Sequence, residues 1–503
     1  MPGADGTASP LMVSVSGCRG IVGESLTPEV VVRFAGAFGG YLADRWGARG
    51  SWGGGAGGGG PLVVLARDGR AGGRMVRDAA VAGLCAAGCR VIDLGVAMTP
   101  TAGVMTDYHA ADGALVVTAS HNPQEWNGLK CIVRPRGLRS GETAACAPAA
   151  EVAGRIIERF REGRVGLVGW RGVGTVEPEP MGVSVHVGRV LRAIGDVASI
   201  ARRRMTVVLD SVNASGVHAG AALLEALGCR TVHLGDRDSG VFPHAPEPLR
   251  EHLGGLCEAV REHRAAAGFA QDPDGDRLAV VDERGEYIGE EYTLALAALE
   301  VLSSRAARGG RGASREGPPV LAANLSTSRM IDEVASRWGG AGARVARAAV
   351  GEANVVEAMR REAEGCLLGG EGNGGVIWPE VAYIRDSLSA MALVLRLLAR
   401  DGRPLSRIVA EALPASAMEK RKVELKRRED AERAVEAVAR AYAGERLDRQ
   451  DGVRVDFDRR CAWLHVRASN TEPIMRLIAE APSAAEARAI LDEAAAIVAK
   501  GRR

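Results

Sequence analysis

Apolar runs that stop at a polar residue recur along the chain, each followed by a helical pattern and a second apolar run. Val63-Val64-Leu65-Ala66-Arg67-Asp68 reads as a buried strand, a helical stretch follows, and Gly88-Cys89-Arg90-Val91-Ile92-Asp93-Leu94-Gly95 reads as the next strand. The same order returns at Val207-Val208-Leu209-Asp210, Ala221 to Leu227, and Gly228-Cys229-Arg230-Thr231-Val232-His233-Leu234-Gly235. A fainter third copy runs from Val320-Leu321-Ala322-Ala323-Asn324 to Gly342-Ala343-Arg344-Val345. A strand, a helix closed by glycine and a second strand make the unit of a parallel sheet. The spacing is too long for a solenoid repeat, so three related α/β domains with mixed sheets are expected. After Leu413 the pattern changes: a charged stretch around Lys420, Lys422 and Lys426, an amphipathic helix from Asp430 to Tyr442, strands Val453 to Phe457 and Ala462 to Val466, and a helix from Ala484. This reads as a small α+β C-terminal domain.

Composition narrows the class. The chain has 503 residues, 47% hydrophobic and 25% charged, enough for several cores. A net charge of +2 argues against a basic nucleic-acid face. Met1 to Pro10 lacks the charged and apolar regions of a signal peptide, and no apolar run approaches the ~18 residues of a membrane span. Nine scattered cysteines read as free thiols of a reducing compartment, so a cytoplasmic protein with no nucleic-acid or membrane partner is expected. Gly53 to Gly60 is followed by Pro61 and a strand rather than by the Gly-Lys-Ser/Thr of a phosphate loop; with Ala306 to Pro319 it reads as a flexible insertion.

Two polar strings carry the chemistry. Asp272-Pro273-Asp274-Gly275-Asp276-Arg277 offers three carboxylates at alternating positions, a hard-oxygen array suited to a cation of the Mg²⁺ type. It begins like a calcium hand, with Glu283 at the twelfth position, but Arg277 stands where that hand requires glycine and Leu278 to Val281 reads as a strand. Thr118-Ala119-Ser120-His121-Asn122-Pro123 follows the apolar strand Ala114 to Val117 and presents a hydroxyl able to carry phosphate. A Ser-His hydrolase is disfavoured, since the Gly-x-Ser-x-Gly elbow is missing and the adjacent Ser120 and His121 side chains are expected to diverge. Lys130 is the only lysine before Lys420 in a chain that otherwise uses arginine, which points to an ammonium required for its own properties.

These strings, with Ser16-Gly17-Cys18-Arg19-Gly20, Gly370-Glu371-Gly372-Asn373-Gly374-Gly375 and Arg467-Ala468-Ser469-Asn470-Thr471-Glu472-Pro473, stand in the order found in α-D-phosphohexomutases. Over essentially its whole length the chain resembles that superfamily of phosphoglucosamine mutase, phosphomannomutase and phosphoglucomutase. The resemblance implies four domains, at 9–180, 181–288, 289–412 and 413–503, around a central cleft. It implies Mg²⁺ held by Ser120, Asp272, Asp274 and Asp276, with Ser120 as phosphoserine. His121, Lys130, Arg19 and Arg277 are the remaining implied catalytic residues, with Lys130 as general acid/base. Glu371 and Asn373 would hold the sugar, and Arg467, Ser469, Asn470 and Thr471 the idle phosphate. The common Glu-x-Ser-Gly-His pattern is altered at Asn373 and Gly375, and Glu352 stands where several relatives have histidine.

The implied reaction interconverts hexose 6-phosphate and hexose 1-phosphate through a sugar bisphosphate, which also serves as activator. Phosphoglucosamine mutase is the first reading and phosphomannomutase/phosphoglucomutase the alternative. A non-catalytic phosphosugar-binding protein and a metal-dependent phosphatase are the remoter ones.

Overall fold

The computed structural model describes residues 11–45, 59–135, 139–307, 317–362, 365–425, 427, 429–468 and 474–501. Most of both low-complexity segments, 53–58 and 308–316, lies outside the described residues. The chain divides into two compact units, Met1–Glu300 with Gly374–Ser406, and Val301–Asn373 with Arg407–Arg503.

In the first unit, the strand expected from Val63 is Leu62–Arg67, parallel to both Arg90–Val96 and Gly113–Val117. Helix Gly73–Ala86 makes the crossover between the first two, and Gly88 beyond it takes a φ of +81°, a left-handed value cheap only for glycine. These strands form the middle of a seven-stranded mixed sheet, continued by Trp126–Val133, Gly17–Ile21 and Met12–Ser14 on one side and Val176–Pro178 on the other. Gly113–Val117 is buried along its whole length, which explains its unbroken apolar sequence. Helices Pro28–Arg45 and Gly73–Ala86 pack Phe34, Phe38 and Leu84 into one core with Leu115 of that strand.

The second copy is Thr206–Asp210, helix Gly216–Ala226 and Arg230–Leu234. Ala267–Gln271 runs parallel to Thr206–Asp210 and antiparallel to Leu278–Val281. The Asp272 string is therefore the tight connection of an antiparallel pair, as expected in place of a calcium hand.

The second unit contains the third copy, Val320–Asn324, helix Met330–Trp338 and Arg344–Ala348, with Cys366–Glu371 as a further parallel strand. Its C-terminal part is a five-stranded antiparallel sheet in the order Ala417–Glu424, Ile474–Ala481, Ala462–Ala468, Val453–Phe457 and Arg446–Asp448. Helices Asp430–Ala441 and Ala484–Gly501 share one core with it, through Ala434, Val438, Ile490, Leu491 and Leu464. The charged stretch at Lys420 and Lys422 is strand Ala417–Glu424, paired with Ile474–Ala481 at eight positions. It is an edge strand, where charged outward residues are favoured because they block further pairing.

Candidate active site

Ser120 follows the strand Gly113–Val117 and is 2% exposed. Its φ is +51°, outside the comfortable range of a side-chain-bearing residue, and the surrounding contacts hold it there. The Ser120 N–H donates to Thr118 Oγ1 at 2.8 Å, and Thr118 donates in turn to Asp68 Oδ2 at 2.7 Å. Arg70, 1% exposed, pairs with Asp68 at 2.9 Å and donates to the carbonyls of Ser120 at 2.6 Å, Pro123 at 3.1 Å and Trp126 at 2.5 Å. One guanidinium thus gathers both ends of the loop, a task suited to its rigid fork of donors.

The Ser120 hydroxyl donates to Asp272 Oδ2 at 3.0 Å, joining the two polar strings. Asp272, Asp274 and Asp276 are fully buried, and one oxygen of each lies within 4.8 Å of the others. Asp274 Oδ1 and Asp276 Oδ1 are buried without a hydrogen-bond partner among the described residues. Burial, reinforced by the Asp274 and Asp276 charges, pushes the Asp272 carboxyl well above its ordinary range. Burial acts the same way on Asp276, but Arg385, Lys130 and Arg277 overcome it and hold that carboxyl low. Crowded anionic oxygens with two open acceptors fit a hard divalent cation.

Cations surround this loop. Lys130 Nζ lies 2.7 Å from Asp276 Oδ2 and 3.5 Å from Asp274 Oδ2, and Arg385 Nη2 is 2.6 Å from Asp276 Oδ2. Arg277 Nε stands 3.9 Å from Asp276 Oδ1, while Arg19 Nη1 donates to Asn122 Oδ1 at 3.2 Å. The loop is braced as well: Thr99 donates through its hydroxyl to Asp274 Oδ2 at 2.7 Å and through its N–H to the Asp274 carbonyl at 2.8 Å, and Ser387 Oγ donates to the Gly275 carbonyl at 2.7 Å. Gly275 takes a φ of +69°, and a Cβ there would come 2.5 Å from Met98 Cε. A side chain at that position would press on Met98 and carry the strain of a left-handed backbone.

The expectation that Ser120 and His121 diverge is corrected. Ser120 Oγ and His121 Nδ1 are 3.4 Å apart because the left-handed turn at Ser120 brings successive side chains together. The approach does not make a nucleophile and base. Burial, with Arg277 and Arg19 adding to it, pushes the imidazole down to about 3, and Glu247 is 3.8 Å from His121 Nε2, too far to orient the ring by hydrogen bonding.

In the second unit, Glu371 ends the strand Cys366–Glu371, is 6% exposed and accepts from Asn324 Nδ2 at 2.8 Å. Thr327 Oγ1 accepts from the Gly372 N–H at 3.1 Å, fixing the turn that continues through Asn373. Arg467 is buried, with Nε 2.9 Å from Asp451 Oδ2. Ser469, Asn470 and Thr471 lie outside the described residues. Glu352 is the first residue of helix Glu352–Arg361 and is buried, and Gly375 opens the strand Gly375–Ile377 of the first unit.

Ser120, His121, Lys130, Arg19, Arg277 and the three aspartates therefore belong to one unit, and Glu371, Asn373 and Arg467 to the other. Sequence reasoning missed Arg70, Arg385, Thr99 and Asn324. The available signal for Arg70 and Asn324 was their position at or just beyond the end of a strand, where α/β domains place functional groups.

Models of the phosphoglucomutase/phosphomannomutase family match throughout the chain. Its alpha/beta/alpha domains I, II and III match residues 11–145, 186–285 and 290–415, and its C-terminal domain matches 404–497. A probable phosphoglucosamine mutase of Methanopyrus kandleri is 35% identical over 486 residues, 96% of each chain. A phosphoglucomutase/phosphomannomutase of Thermococcus kodakarensis is 35% identical over 479 residues, 95% of this chain and 96% of the relative. The crystal structure of a phosphoglucomutase/phosphomannomutase family protein from Burkholderia thailandensis superposes with a TM-score of 0.76 at 27% identity, covering 98% of each chain. With full-length relatives and four matched domains in order, this chain belongs to the phosphoglucomutase/phosphomannomutase family of the phosphohexomutase superfamily.

Proposed function

We propose that this chain interconverts a hexose 6-phosphate and its 1-phosphate through phosphorylated Ser120, with glucosamine phosphate as the preferred sugar. The observation that carries the reading is the buried Ser120 hydroxyl, 3.0 Å from an aspartate of a three-carboxylate cluster with two open acceptor oxygens. Asp272, Asp274, Asp276 and an oxygen of the phosphorylated serine would hold Mg²⁺. When bound, that ion supplies neutralisation of the charge that builds on the phosphoryl oxygens.

The residues divide the remaining work. Arg70 and Thr118 hold the serine in place, and Lys130 handles the proton of the sugar hydroxyl that receives the phosphoryl group. Arg19 and Arg277 stabilise negative charge at the transfer point, and His121 is a neutral neighbour of the serine. Glu371 and Asn373 contact the sugar, and Arg467, Ser469, Asn470 and Thr471 hold the phosphate that is not moving. In this division, segments 9–180, 181–288, 289–412 and 413–503 supply the phosphoserine, metal, sugar and phosphate loops. A sugar 1,6-bisphosphate is both the intermediate and the activator that primes Ser120. Nine free cysteines suit a reducing cytoplasm, and no described helix is long and apolar enough to cross a membrane.

The first sugar assignment follows relatives named as probable phosphoglucosamine mutases, and the Thermococcus relative supports phosphomannomutase/phosphoglucomutase as the second. A difference at C2 changes one or two hydrogen bonds, so comparing kcat/KM for glucosamine, mannose and glucose phosphates decides between them. The covalent mechanism predicts phosphate on Ser120 by mass spectrometry and loss of mutase turnover in Ser120→Ala. Near-normal turnover in that variant sinks it, and phosphate release outpacing isomerisation would instead mark a phosphatase.

A further inference from the structure

A cavity of about 150 Å³ in the second unit is lined by four arginines and three aspartates, and neither Glu371 nor Arg467 is among its lining residues. Arg329 at the N-cap of helix Met330–Trp338, Asp332 within that helix and Arg347 of strand Arg344–Ala348 form one part of the lining, and strands Arg446–Asp448 and Val453–Phe457 supply Arg446, Arg454 and Asp456. The carboxylates are engaged. Asp332 is paired with Arg347, and Asp456 accepts from Arg454 at 3.0 Å with Arg446 at 3.4 Å. The third, Asp448, accepts from the Gln450 backbone and side chain at 3.0 and 2.9 Å.

Arg329 is left over. Its Nη1 is buried and has no hydrogen-bond partner among the described residues, although it lines the cavity. An unmade hydrogen bond from a buried charged donor costs more than a neutral one, so the cavity has a standing demand for an acceptor. Arg454 reports the same excess of positive charge. It is 3% exposed, and burial together with neighbouring Arg347 pushes its guanidinium down to about 10. A volume of this size admits a guest comparable to benzene, so a tetrahedral oxyanion fits where a whole hexose phosphate does not.

We propose that this cavity is a second anion site, taking orthophosphate or the phosphoryl end of a phosphate ester, with Arg329 as its principal donor and Arg446 as a second donor from its lining. The walls also hold the loop behind Glu371. Arg454 donates to the Leu325 carbonyl at 2.5 Å, and Arg347 donates to the Asn324 and Thr327 carbonyls at 2.9 and 2.8 Å. An oxyanion bound there would rest on the residues that set the geometry of Asn324.

The test is calorimetric titration of orthophosphate into full-length, metal-free Arg467→Ala protein, in which the proposed substrate clamp is disabled. One saturable site is expected, weakened at least ~10-fold when Arg329→Gln is added, as for loss of a charge-assisted hydrogen bond. Arg446→Gln, at a side chain 66% exposed and therefore safe for folding, is expected to weaken it as well. Competition by glucose 1-phosphate identifies an ester phosphoryl group as ligand, and its failure to compete identifies the free ion. Absence of saturable binding in the Arg467→Ala protein, or isotherms unchanged by both further substitutions, overturns the proposal.

Discussion

Arg70→Lys isolates the positioning of Ser120 from its chemistry. Lysine retains the charge opposite Asp68, so the buried carboxylate keeps a counterion, but its compact ammonium cannot span the Ser120, Pro123 and Trp126 carbonyls together. If two charge-assisted bonds are lost at ~1.5–3 kcal/mol each, the loop loses at most ~3–6 kcal/mol of ordering. Part of that returns through water and relaxation, so a global stability loss of only ~1–3 kcal/mol is expected. Turnover is more sensitive, because misplacing a reacting group by about 1 Å costs ~10²-fold. Steady-state assays should therefore show kcat down ~10²-fold with KM nearly unchanged, alongside a lower phosphoserine occupancy by mass spectrometry. A folded Arg70→Lys protein with kcat within about threefold of wild type would refute the claim that this guanidinium sets the reactive loop.

The metal reading predicts that Asp274→Ala lowers turnover at least ~10²-fold, and that excess chelator abolishes activity until Mg²⁺ is restored; full activity with metal absence verified defeats it. Lys130→Met should depress kcat for both phosphate positions while binding is largely kept, whereas Arg467→Ala should chiefly raise KM, with ~2–5 kcal/mol lost if that contact is desolvated. Equal KM effects in the two variants would contradict this division. His465 is fully buried and its imidazole is pushed down to about 4 by burial, so the folded state stays neutral where the unfolded chain takes up a proton below about 6.5. Stability should then fall as pH drops through that window, by up to ~1.4 kcal/mol per unit. Urea unfolding of His465→Gln should show a slope smaller by up to one proton, and an unchanged slope removes His465 as the cause.

What could be read from the sequence was what repeats or what is chemically rare. The three strand, helix, strand copies were visible because buried parallel strands are apolar throughout, as in Leu62–Arg67 and Val320–Asn324. The Ser120 and Asp272 strings stood out through residue types seldom grouped without a task, and the structure joins them at 3.0 Å. Strand Ala417–Glu424 was hidden because its outward residues are charged, and propensity is a weak guide at an edge. Arg70 and Arg385 were hidden for another reason. In a chain rich in arginine, nothing local distinguishes a fully enclosed guanidinium from a solvated one; only the fold brings Arg385 to Asp276, 109 residues earlier. The closeness of Ser120 to His121 likewise depends on one backbone angle that residue identity does not announce.

The bracing of the Asp272 loop by a distant segment has a consequence during synthesis. Arg385 and Ser387, which hold Asp276 and the Gly275 carbonyl, belong to Gly374–Ser406, the stretch that rejoins the first unit after the chain has left it at Glu300. A nascent chain emerging from its N-terminus can form the strands on either side of the aspartates early. Asp276 then waits, with Lys130 as its close counter-charge, until Arg385, 109 residues later, has been made. Completion of the carboxylate cluster is therefore a late, long-range event. A fragment ending at Glu300 would keep Ser120, all three aspartates, Thr99 and Lys130, yet lack the Arg385 and Ser387 braces on Asp276 and Gly275.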